Sequence, residues 1–168
     1  MLKWRRHHDA DRGSVAVWIV IFTFAVMVLL TFVVDGGQLM NAKERAADIA
    51  EQAARATVDD IDVAALRGSN GHISISADAC TAGGPAASLV AAFAHGTGVS
   101  AGIPPSYHGR PGCLTGTVRT PTGVQHFATV TVEITTRPVI PFGVFGSYQV
   151  PATQTAFLAC GITRGVSC

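Results

Sequence analysis

Between Val15 and Val34 the sequence reads VAVWIVIFTFAVMVLLTFVV, a run without a single charged side chain. Its only polar groups are the hydroxyls of Thr23 and Thr31, which a helix satisfies with its own carbonyls. At about 1.5 Å rise per residue, some ~20 helical residues cross the roughly 30 Å hydrocarbon core of a bilayer. A core helix of a globular domain keeps a polar face, whereas this run is apolar on every face. A cleaved signal peptide has a shorter apolar region, about 7 to 15 residues, followed by a small-residue cleavage site. Here the run passes instead into Val33-Val34-Asp35-Gly36-Gly37. The expectation is a transmembrane helix over residues 15–34, preceded by a basic arm over residues 1–14.

Flanking charge sets the expected orientation. Lys3, Arg5, Arg6 and Arg12 crowd the arm, while the first cations beyond the run, Lys43 and Arg45, are diluted by Glu44, Asp48 and Glu51. The excess of Lys and Arg in the short flank places the N-terminus in the cytoplasm and everything after Asp35 outside. All of Cys80, Cys113, Cys160 and Cys168 then fall in the outer part. An even number of cysteines in an exported region reads as disulfides, and the four allow three pairings among which spacing does not choose. No C-x-x-C pair and no cysteine–histidine spacing of a zinc site is present, so no metal or other cofactor is expected. A net charge of +1 argues against a nucleic-acid partner, which a clustered basic surface would bind.

After the glycine pair, QLMNAKERAADIAEQAARATVDD carries a stripe of alanines that includes Ala42, Ala46, Ala50 and Ala53, with charges on the other faces. Alanine is the strongest helix former, so the apolar helix should continue as an Ala-rich extracytoplasmic helix over residues 35–58. Gly36 and Gly37 predict a kink or local break at the junction. The alanine stripe fits either a helix packed on its own domain or a close helix–helix assembly surface.

Residues 59–168 read as one small α+β domain. Asp60 is the expected N-cap and Gly68 the terminator of a short helix in DIDVAALRG. Ile73 and Ile75 alternate with Ser74 and Ser76, which predicts a short strand. Pro85 opens a helix through Ala94, and residues 98–112, rich in Gly and Pro, form a loop. CLTGTVRT and VQHFATVTVEITTR flank a turn at residues 121–123 as an antiparallel hairpin. YQVPATQTAFLA is the last strand, which Pro151 confines to an edge or a bulge. The Ala-rich helix and the helix from Pro85 are the available cover for the apolar face of this sheet.

Two patterns invite a catalytic or metal reading. Gly98-Val99-Ser100-Ala101-Gly102 matches G-x-S-x-G, but that nucleophile elbow needs a strand before it and a helix after, and here the order is reversed. A flexible loop is the simpler reading of this stretch, with His95 and His108 as loop and cap residues and His72 and His126 on strand surfaces. Asp59, Asp60 and Asp62 lack the glycine and distal glutamate of a calcium loop, and helix-start carboxylates explain them. No catalytic residue and no small-molecule substrate are expected.

The order of basic arm, RGSVAV, a span ending in VVDGG, and a helix of the form QLMNAKERAADIAEQAARA resembles the TadE/TadG-like family of tight-adherence (Flp, type IVc) pilus assembly proteins, a family frequent in actinobacteria. DVAALRG, a cysteine ahead of an Ala-rich helix, a second cysteine opening a strand, and FATVTVEI extend the resemblance along most of the chain. It implies a pilin-like fold and a role in pilus assembly, with the membrane and other pilus assembly subunits as partners. The alternative is a membrane-anchored binding or adhesion module. Processed pilins carry a glycine at the cleavage point and a glutamate five residues on. If Gly13 is that glycine, Trp18 stands where the glutamate belongs, so the resemblance implies an assembly component or minor subunit more than a polymerising pilin. It also implies a bridge between Cys80 and Cys113, which leaves Cys160 for Cys168.

Overall fold

In a computed structural model of the protein, residues 11–68, 73–121, 123–137 and 146–158 are described. A single helix, α1, runs from Asp11 to Asp59. The helix runs unbroken through Gly36-Gly37, so the local break expected there does not form. Extending an existing helix adds one hydrogen bond per residue fixed, so a helix already formed on both sides carries two glycines through.

Only the far half of α1 is packed. Ala42, Ala46, Ile49, Ala50, Ala53, Ala54, Thr57 and Val58 are buried, a set recurring every three to four residues that forms one helix face. Methyl side chains hold the helix close to what it covers. Thr57 is fully buried without a polar penalty, because its hydroxyl donates to the Ala53 carbonyl at 2.7 Å.

The surface beneath this face is an antiparallel sheet. Strand β5 (Gly123–Thr136) is central, with β6 (Tyr148–Phe157) along one flank. The other flank is shared: β4 (Cys113–Thr120) pairs with the first part of β5, and the short β1 (Ser100–Gly102) pairs with Glu133 to Thr135. Between them the Thr131 amide donates to the Gly112 carbonyl at 2.7 Å and closes the gap. Ala128, Val130, Val132 and Ile134 alternate inward from β5 and are buried. Burying each of the larger ones fully contributes about 1.5 to 3 kcal/mol. Outward, the threonine hydroxyls pair across strands, Thr129 with Thr155 and Thr131 with Thr153, each at 2.8 Å. Pro151 lies opposite Glu133 on β6, which among the described strands pairs with β5 alone, so the missing N–H falls on an edge strand.

Two helices and a hairpin complete the domain. The short α2 (Val63–Gly68) is capped by Asp62, whose carboxylate accepts from the Ala65 amide at 2.9 Å. Asp60, the expected cap, is engaged elsewhere: its carbonyl accepts from the Ser76 amide at 2.8 Å. Residues 73–76 do not form a strand. They make one bridge, Ile61 with Ile75, and Ile73 and Ile75 pack on the Val58, Ala128 and Leu158 cluster. Helix α3 (Pro85–Thr97) has Pro at its start and ends at Gly98, which takes a left-handed φ of 66° while its amide bonds the Ala94 carbonyl. It packs beside α1 and against β1. The segment read as a loop, residues 98–112, holds β1 and a two-stranded hairpin of β2 (Ser106–Tyr107) and β3 (Arg110–Pro111).

Candidate functional site

The apolar run forms the exposed half of α1. Trp18, Phe22 and Phe32 are 71%, 69% and 75% exposed, and among the described residues nothing buries the most apolar stretch. Thr23 donates to the Ile19 carbonyl at 2.8 Å and Thr31 to the Val28 carbonyl at 2.8 Å. Both polar side chains are therefore satisfied inside the helix, as a hydrocarbon environment requires. The helix is long and apolar enough to cross a membrane.

Gly13 lies in the first turn of α1. Ala42, Ala46, Ala50 and Ala53 all face the sheet and α3, where Ala46, Ala50 and Ala53 have no exposed surface. The opposite side of the same half carries Lys43, Glu44, Arg45, Asp48, Glu51 and Arg55 in solvent, with Glu51 and Arg55 paired one turn apart. An exposed pair of this kind contributes little to stability. The junction between the two halves, Gly36-Gly37, has open space where a Cβ would stand at either residue. In a helix interior each glycine costs about 1 kcal/mol relative to alanine.

Cys80 and Cys113 form a disulfide, with their Cα atoms 5.5 Å apart across a sequence separation of 33. It ties the turn ahead of α3 to the start of β4. On the chain-entropy model, closing a loop of this length stabilises the fold by about 3 to 4 kcal/mol. Cys160 and Cys168, and their expected pairing, lie outside the described residues. The bridge forms one wall of a cleft of about 420 Å³ between α3 and the β1 segment, with Ala86, Val90, Ala101 and Ile103 among its apolar lining.

Close backbone approaches shape this corner, and they carry no local sequence signal. A Cβ at Gly84 would strike the Ala79 carbonyl oxygen, and one at Gly112 would strike that of Pro104. Ser100 opens β1, paired with Thr135, with helix α3 before it. That is an extended edge residue, not a strand-to-helix elbow. His95 lies in the last turn of α3, and His108 sits at the β2–β3 turn with φ 49°, its ring against Tyr107 at 4.2 Å. His126 lies on β5 opposite Thr117.

These features define a class of protein: an α+β domain built on the far half of a helix whose near half is an apolar, membrane-span segment. Residues 13–60 match the model of the Flp pilus-assembly TadE/G-like family. The match takes in α1 almost from end to end and covers less than a third of the chain. No curated protein and no solved structure matches. The likeness to a pilus-assembly family is confined to this helix, whose apolar half is long enough to cross a membrane.

Proposed function

We propose that the protein is a membrane-anchored component of pilus assembly, or a minor pilin-like subunit, that works through helix packing and protein–protein contacts in the cell envelope. The observation that carries this reading is the division of α1. One half is packed into a folded domain, and the other presents a continuous apolar surface that the described residues leave uncovered. The proposed organisation is a basic arm over residues 1–14 in the cytoplasm, a span over 15–34, an extracytoplasmic helix over 35–58 and a domain over 59–168. Lys3, Arg5, Arg6 and Arg12 support the orientation.

Partner subunits would meet the remaining surface of α1, since the alanine stripe is occupied by the protein's own sheet. Trp18, in place of a registering glutamate five residues after Gly13, favours an assembly or minor-subunit role over that of the repeating subunit. Deletion of the gene tests the reading. Surface filaments should be lost or greatly reduced by electron microscopy and restored by the intact gene. Filaments of normal number and length in the deletion strain would sink it.

A further inference from the structure

We infer that Gly36-Gly37 is a joint about which the folded domain turns relative to the apolar half of α1. The inference rests on the proposed anchoring of that half in a membrane. Three observations carry it. The last residue of the apolar run is Val34 and the first packed residue of the far half is Ala42, an interval of about 12 Å of helix. Within it, residues 36–41 are exposed, so the helix there is held by its own backbone bonds. The two glycines answer to no steric demand, because a Cβ at either meets nothing within 4 Å. Nor is either among the glycines of positive φ, which are Gly98, Gly109 and Gly123.

Gly84 and Gly112 show the contrast, since each is seated where a side chain would collide with backbone. At Gly36-Gly37 the absence of a side chain changes only the backbone's freedom. No other glycine occurs between Ser14 and Asp59, and this pair falls in the interval where opening the helix costs no packing of the domain. The unbroken helix is one position of the joint; the opened ones share the same folded domain and the same span.

The full-length protein in lipid nanodiscs tests this. Spin labels carried on noncanonical residues at Val28 and Gln52, both exposed, leave the cysteines untouched. A rigid helix puts these positions about 36 Å apart. The wild-type chain should give a broad distance distribution, and Gly36→Ala/Gly37→Ala a narrow one at the helical distance. Amide exchange over residues 36–41 should slow about 20-fold in the double variant, the effect of two Gly→Ala changes on helix opening. A narrow distribution already in the wild type, or unchanged breadth and exchange in the variant, would overturn the joint. Flotation with phospholipid vesicles examines the anchoring separately: a chain that stays out of the vesicles overturns both readings, and one that floats with a narrow distribution overturns the joint alone.

Discussion

Gly112 and Gly37 are the same residue type under opposite constraints. The backbone of Pro104 occupies the space a side chain would need at Gly112, while Gly37 faces open space. Gly112→Ala should therefore destabilise the domain by about 1 to 3 kcal/mol, the usual range for overpacking. Gly37→Ala should stabilise the helix by up to about 1 kcal/mol. Urea unfolding of the detergent-solubilised chain, followed by near-UV circular dichroism, measures the first, and helical signal on heating measures the second. A Gly112→Ala midpoint equal to wild type would refute the steric account. Gly116 is a gentler case, since the atoms a Cβ would meet belong to the Phe127 ring, which can turn. None of these distinctions is visible in the sequence, because each depends on a segment brought in from elsewhere. The capping of α2 has the same character. Asp60 and Asp62 both precede it, and Asp62 becomes the cap while the Asp60 backbone is held by Ser76.

Elements with long, unambiguous periodicity are legible in the sequence. The apolar run, the alanine stripe, and the alternation of Val130, Val132 and Ile134 each specify an element and its buried face. Short elements are not. Residues 73–76 alternate like a strand but have only one bridging partner, and β1 exists because β5 is long enough to pair with it beyond the end of β4. The local break expected at Gly36-Gly37 does not form, because local propensity is a weak prior inside a long cooperative helix. The alanine stripe makes a sharp prediction at this scale. Ala50 has no exposed surface between α1 and the sheet, so Ala50→Leu should cost about 1 to 3 kcal/mol, whereas a change at solvent-facing Gln52 should stay within about 0.5 kcal/mol. Equal unfolding midpoints for the two variants would show that the helix does not pack on this face. The disulfide admits a similar test. Replacing Cys80 and Cys113 together by serine should lower stability by about 3 to 4 kcal/mol, read as a shift of the denaturation midpoint under non-reducing conditions. Peptide mapping without reductant would also show whether Cys160 is joined to Cys168.

At the scale of the whole molecule, the fold separates two surfaces with opposite needs. The alanine stripe of α1 packs on the domain, while the large residues Trp18, Phe22, Phe24 and Phe32 are covered by nothing among the described residues. A soluble environment would penalise that uncovered surface at about 25 cal/mol per Å² of apolar area left in water. A bilayer would remove the penalty, and in the proposed topology the basic arm stays in the cytoplasm, because Lys and Arg in a short flank resist translocation. The proposed topology follows, and labelling in intact cells decides it. A cysteine introduced at Asp59, exposed at the end of α1, should react with a membrane-impermeant maleimide above the wild-type background. One introduced at Asp9, in the arm, should react only after the membrane is permeabilised. Labelling at Asp9 but not at Asp59 in intact cells would reverse the orientation. Labelling at both would mean that neither end of the run is sheltered by a membrane, and the packed half of α1 would have to be explained without an anchor beneath it.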